Sequence, residues 1–250
     1  SASATGPRSS SSASRWAAAC RAPHARARGA TPRPGRAPGR AHARSEELLL
    51  NVRPATIATR LKATNGTIAD GFTGATVLFA DIVGFTTMSS RLTPERVVDM
   101  LNNLFCTFDD LADRLKLEKI KTIGDCYMIV GGLPEPRTDH AVAVAEMALA
   151  MLHAVHAIGK STGEPIDVRI GVHSGPVVAG VIGKRKFTYD VWGDTVNVAS
   201  RMESHGVPGA IQISAITHGM LDGKFAMKRR GVIGIKGKGE METWLLEGPA

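Results

Sequence analysis

The sequence predicts an α+β sandwich, with helices on one face of a sheet, preceded by a segment that does not fold. Residues 1–44 hold nine arginines, no acidic residue and one large apolar side chain, Trp16. Such a segment buries too little surface to offset its ordering entropy and is expected to be disordered. From Ser45 the texture changes to apolar runs of strand length alternating with stretches of helical period. These strands and helices follow one another without a strict βαβ repeat, which argues for the α+β class.

The same division explains the charge. The whole chain carries +8 and residues 1–44 carry +9, so Ser45–Ala250 carries −1. The basic character belongs to the tail, and a nucleic-acid-binding domain is not implied. The tail's Arg-rich, Ser-rich and acid-poor bias fits an organelle transit peptide or a linker, and the missing amphipathic face favours a linker. Cys20, Cys106 and Cys126 are odd in number at no metal-ligand spacing, as expected of unbridged thiols in a reducing compartment. Apolar runs such as Ala141 to Ala150 are short and interrupted by Glu146, so no membrane span is expected. The expected organisation is a tail over 1–44, a helical connector over 45–70 and a folded domain over 71–250. The chain has no initial Met, and a fragment of a longer, membrane-bound protein is one expectation.

Ser45-Glu46-Glu47 followed by Leu48, Leu49, Leu50 and Val52 reads as a helix start, broken at Pro54. Thr76 to Asp81 is an apolar run ending in a carboxylate, the mark of a buried central strand. Thr93-Pro94-Glu95 supplies an N-cap and a proline at the first helical position. Val97, Leu101, Leu104, Phe108, Leu111 and Leu115 then form one core-facing stripe. Two short strands, Ile120 to Ile123 and Cys126 to Val130, flank the turn at Gly124-Asp125. A second apolar helix is expected over His140 to Ile158, then strands at Ile166 to Val172 and Val177 to Ile182. A helix from Asp194 or Thr195 to about Glu203 and strands at Ala210 to Ile213, Gly231 to Ile235 and Glu242 to Leu246 complete the domain.

Asp81 and Asp125 follow strands, where a single carboxylate is usually a turn former. Two at one sheet edge repel unless something positive lies between, and Mg²⁺ shared with substrate phosphates is the common solution. Asn197 and Arg201 lie four apart on one helix face. Lys236 and Lys238 alternate with glycine in a loop suited to phosphate. Arg169 interrupts an apolar strand, and a charge there needs a partner. Taken singly, each of the others reads better as a solvated surface charge, and Arg169 is less easily read so. Together with the two aspartates they describe a polyphosphate site.

Residues 76 to 88, 118 to 128, 169 to 175 and 189 to 201 carry TVLFADIVGFTTM, EKIKTIGDCYM, RIGVHSG and YDVWGDTVNVASR. In order and spacing they resemble the catalytic domain of class III nucleotidyl cyclases over about Ser45 to Leu246. The resemblance implies the class III cyclase fold, a ferredoxin-like βαββαβ core sheet with helices on one face and an additional C-terminal α/β subdomain. It implies two divalent cations, Mg²⁺ or Mn²⁺, on Asp81, Asp125 and the carbonyl of Ile82. Arg201 would stabilise charge at the α-phosphate and Asn197 would orient the ribose. Lys236 and Arg169 would hold phosphates, with Phe85 an apolar contact near the nucleotide. Lys121 and Asp190 stand where the adenylyl type has Lys and Asp and the guanylyl type Glu and Cys. An ammonium donor and a carboxylate acceptor fit adenine N1 and its 6-amino group, so ATP is the expected substrate. The complete residue set implies a homodimer with two shared sites, an upstream sensor or transducer and a cytoplasmic catalytic domain. The alternatives are a guanylyl cyclase and a catalytically silent dimerisation module of the same fold.

Overall fold

A computed structural model describes Ile57, Arg60 and residues 68–162, 166–182 and 188–250. The 1–44 tail and most of the 45–70 connector lie outside the described residues. The elements are β1 (Ile68–Ile82), α1 (Phe85–Ser89), α2 (Pro94–Leu115), β2 (Glu118–Ile123), β3 (Cys126–Gly131) and α3 (His140–Thr162). They continue with β4 (Val168–Ile182), β5 (Thr188–Trp192), α4 (Asp194–Ser204), β6 (Ile211–Ser214), α5 (Ala215–Leu221), β7 (Phe225–Ile235) and β8 (Gly239–Pro249). β1 runs across the expected boundary at residue 71, with Asp70 already paired to Ala179.

The helices begin as the sequence dictates. Thr93 caps α2, its side chain accepting from the Arg96 amide, with Pro94 in the first turn. Leu104, Phe108, Leu111 and Ala112 are the buried face. Helix α3 corrects the reading of its apolar run as short, because by length and composition it is long and apolar enough to cross a membrane, with a mean hydropathy of 1.7 over His140–Ser161. Its place in the core accounts for that composition: Ala141, Val144, Met147, Ala148, Met151 and Val155 are buried in one cluster with α2, β1 and β4.

The strands form one sheet in the order β2-β3-β1-β4-β6-β8-β7, with β5 paired to β4 off this path. Strand alternation sorts two cores. Leu78, Ala80, Ile129, Ile170 and Val172 face α2 and α3. Val77, Phe79, Met128, Val130, Val177, Ala179 and Val181 face the other way, with Tyr189, Val191 and Ala199. Both helices of the βαββαβ core thus lie on one face as expected, and α4 of the C-terminal part covers the other. Gly171 permits that packing, since a Cβ there would stand 1.9 Å from the Glu203 amide nitrogen.

Four elements were not expected, the short helix α1 among them. The two strands anticipated between Ile166 and Ile182 are one strand, β4, paired with β1 throughout save for a shift between Phe72 and Ala75. Helix α5 follows Ser214, whose side chain accepts from the Thr217 amide. β5 pairs with Val178–Ile182 of β4, a length too short for periodicity to reveal.

Candidate active site

The strand registers bring the first group together. Asp81 and Arg169 are directly opposed on β1 and β4, and Arg169 Nη2 donates to Asp81 Oδ2 at 2.9 Å. Asp125 sits in the β2–β3 turn near enough for its charge to act on Asp81. Burial first, then the Asp125 charge, push the Asp81 carboxyl above its ordinary range, against the lowering effect of Arg169. Two carboxylates in mutual repulsion at a half-buried edge are a donor set that a hard divalent cation relieves, so the residues present fit such an ion. Among the described residues no cluster of three or more His, Cys, Asp or Glu side chains has metal-binding geometry. Further ligands would therefore come from backbone, water or substrate. Ile82 is buried through its side chain, which leaves its carbonyl as the only group it could offer. Phe85 opens α1 after Gly84, whose φ of 68° turns the chain, and packs half-buried against the first core.

Glu203 joins this group, and sequence reasoning missed it. Arg169 Nε donates to Glu203 Oε1 at 3.1 Å, so one guanidinium bridges Asp81 and Glu203. Burial raises the Glu203 pKa, Arg169 lowers it, and Asp81 and Asp125 raise it further. A signal was available: Glu203 lies on the apolar side of α4 with Ala199 and Met202, as Arg169 lies in an apolar strand, and two isolated opposite charges on buried faces ask for each other. Cys126 stands beside these carboxylates, and burial with their charges pushes its thiol up to about 12. It is therefore no nucleophile near neutral pH.

The second group is Lys121 and Asp190. Lys121 Nζ donates to Asp190 Oδ2 at 2.5 Å, and both are partly buried. A β-bulge aims the lysine. Lys119 pairs with Ile129 and Lys121 with Met128, so Ile120 is the extra residue and Lys121 turns to the same face as Met128.

Asn197 and Arg201 are exposed on α4, and Lys236 is exposed in the β7–β8 turn. Lys238 Nζ donates to Asp194 Oδ2 at 2.5 Å, tying that turn to the start of α4. Among the described residues, no hydrogen bond or ion pair joins Asp81 or Asp125 to Asn197, Arg201 or Lys236. His140 and His173 lie instead in a buried chain of hydrogen bonds. His140 Nδ1 meets Thr76 Oγ1 at 2.7 Å and Thr76 meets Ser174 at 2.7 Å. Ser174 meets Thr217 at 3.0 Å, and His173 Nδ1 meets Ser214 at 2.7 Å.

A family model described as the adenylate and guanylate cyclase catalytic domain matches residues 69–248. The chain belongs to that family. The cyclase domain is 50% identical over 208 residues to an adenylate cyclase of Mycobacterium tuberculosis, covering 83% of this chain and 47% of that protein. The chain thus spans about half the length of that relative. The guanylate cyclase domain of RhGC from Catenaria anguillulae, solved in complex with GTP, is 40% identical with a TM-score of 0.70, covering 72% of this chain and all of that one. A rhodopsin-guanylyl cyclase catalytic core with converted specificity, in complex with ATPαS, is 42% identical with a TM-score of 0.69, covering 72% of this chain and 98% of that one. Cyclases named for either base therefore share this fold.

Proposed function

We propose that this domain converts ATP to 3′,5′-cyclic AMP and pyrophosphate in sites shared by two copies of the chain. The contact between Lys121 and Asp190 carries the choice of base. Lys121 presents a donor, which adenine N1 accepts. Asp190 presents an acceptor, which the 6-amino group satisfies. Guanine offers a donor at N1 and an acceptor at O6, so both contacts would oppose like groups, and each unpaired buried polar group costs roughly 1–3 kcal/mol. The carboxylate of Asp190 is further oriented by accepting from the Val191 amide at 2.8 Å.

Asp81, Asp125 and the Ile82 carbonyl would hold two divalent cations, which when bound supply activation of the ribose 3′-hydroxyl and neutralisation of the triphosphate. Arg201, a permanent cation, would meet the charge developing on the α-phosphate as the 3′-oxygen bonds to phosphorus and the bond to pyrophosphate breaks. Asn197, one turn earlier on the same face of α4, would hold the ribose. Lys236 and Arg169 would bind the phosphates. Among the described residues no hydrogen bond or ion pair joins Arg201 or Asn197 to Asp81, and this supports a second copy completing each site. The apolar groove lined by Phe72, Pro176, Val178 and Trp192, with Val178, Ile182 and Trp192 exposed, supports the same reading.

Control by an upstream sensor through the connector belongs to this proposal. It is supported by Ile57, buried in the second core, and by Arg60, whose Nη2 donates to Asp70 Oδ1 at 3.0 Å. The test is product formation from ATP and from GTP, each with Mg²⁺ or Mn²⁺, across a range of protein concentration. Cyclic AMP as the main product, with specific activity rising with protein concentration, is expected. A preference for GTP overturns the base assignment, and a catalytically silent protein overturns the activity.

A further inference from the structure

Arg169 stands between the two halves of the candidate site. It gives Nη2 to Asp81 and Nε to Glu203, and among the described residues it is the only ion-pair partner of each. Glu203 lies in the last turn of α4, the helix that carries Asn197 and Arg201. Its backbone lies directly on β4 at Gly171, so α4 has no slack there: a shift of the guanidinium is felt by the helix through Glu203. Two carboxylates, Asp81 and Glu203, share this single guanidinium, and the charge of Asp125 acts on both. Were Asp81 and Asp125 to hold a cation, Asp81 would no longer depend on Arg169 for counter-charge, and the guanidinium would be repelled from it. The contact left to Arg169 is then Glu203.

We propose that Glu203 is a positioning residue that couples occupancy of Asp81 and Asp125 to the seat of α4. With the aspartates empty, Arg169 divides its donors between Asp81 and Glu203. With a cation there, Arg169 and Glu203 pair more fully and hold the last turn of α4 more firmly in its seat on β4. This inference rests on the reading of Asp81 and Asp125 as cation ligands. Where two copies share their sites, the α4 of one copy serves the site opposite to its own aspartates, so filling one site conditions the other. Glu203 is the part that makes the two sites interdependent.

The experiment titrates the 250-residue chain with Mn²⁺ alone, without nucleotide. Bound ion is counted from the loss of the free-ion paramagnetic resonance signal, and α4 is followed by amide hydrogen exchange over residues 194–204. Wild type is expected to bind Mn²⁺, Asp81→Asn to lose that binding, and the exchange of α4 to slow about fivefold or more on saturation, the lower range of coupling between sites. Glu203→Met, close in volume and without charge, is expected to keep ion binding and lose the α4 response. Glu203→Gln, which still accepts from Arg169, should fall between. Wild-type binding insensitive to Asp81→Asn overturns the cation reading, and the coupling with it. Mn²⁺ binding with no α4 response in wild type, or an undiminished response in both Glu203 variants, overturns the coupling and leaves the cation reading standing.

Discussion

Lys121 and Asp190 meet at 2.5 Å across 69 residues of sequence, although β3, β1 and β4 stand between their strands in the sheet order. Four strand spacings of a flat sheet are roughly 19 Å, so the sheet must fold back on itself. It does so along β1 and β4, and the far half of β4 carries β5 over the second core. There Ile68, Val181, Tyr189 and Val191 pack with Ile120 and Met128. Hydrophobic burial thus sets the distance between two polar groups.

That pair should decide the base. Lys121→Glu with Asp190→Cys reverses one donor and removes the acceptor charge. The ratio of kcat/KM for ATP to that for GTP is expected to fall about 10²-fold or more, the sum of two contacts of roughly 1–3 kcal/mol each. An unchanged ratio in a folded double variant removes these residues from base recognition.

Asp81→Asn separates function from stability. Burial and Asp125 hold the Asp81 pKa above its ordinary value, so ionised Asp81 disfavours the ion-free fold once the pH exceeds the unfolded value. Cyclase activity is expected to fall at least about 10²-fold, with the calorimetric Tm in chelator unchanged or higher. A Tm lowered by several degrees contradicts the account.

Glu118 should make stability depend on pH. Burial first and then Asp113 raise it from 4.5 to about 7. The folded state therefore holds this proton more tightly than the unfolded state does. The resulting loss of stability develops as pH rises from 4.5 to about 7 and is complete above it. Glu118→Gln is expected to raise the Tm at pH 8 more than at pH 5. Burial pulls His173 down to about 4 and acts in the opposite sense as pH falls below 6.5, so the comparison is between variant and wild type at each pH. Equal shifts at both pH values contradict the assignment.

Gly171→Ala tests the seat of α4. The new methyl would fall on the Glu203 backbone, which cannot yield as a flexible side chain does. Overpacking of this kind costs about 1–3 kcal/mol or more. Urea unfolding should show it, with a loss of activity greater than the fraction unfolded explains. Full activity and unchanged stability would mean that α4 does not rest on β4 as described.

Shared sites predict complementation. Asp81→Ala and Arg201→Ala proteins should each be nearly inactive, and a mixture should recover up to about a quarter of wild-type activity, since one of two sites is intact in half of the randomly paired dimers. No recovery at any ratio, with mixed dimers demonstrated, rules out sites built from both chains.

The local chemistry was legible because it is written in short windows. A capped start at Thr93, an apolar run closing on Asp81 and a glycine turn before Asp125 each state their own structure. β5 and α5 were not legible, being too short for a period to emerge. The apolar length of α3 was underestimated because Glu146 reads as an interruption in the sequence, whereas it is exposed on a continuous helix. Glu203 escaped because its meaning depends on Arg169, which stands in a different element.

The sequence by itself determined the family, the two aspartates, and the donor and acceptor residue types at positions 121 and 190, since each depends on residue identity at fixed local spacing. Only the tertiary structure decided that Lys121 touches Asp190, that Arg169 is divided between Asp81 and Glu203, and that among the described residues no hydrogen bond or ion pair joins Asp81 to Arg201. Those relations follow from strand register, the bulge at Ile120 and the close approach at Gly171. Long-range packing fixes all three, and no local propensity encodes them.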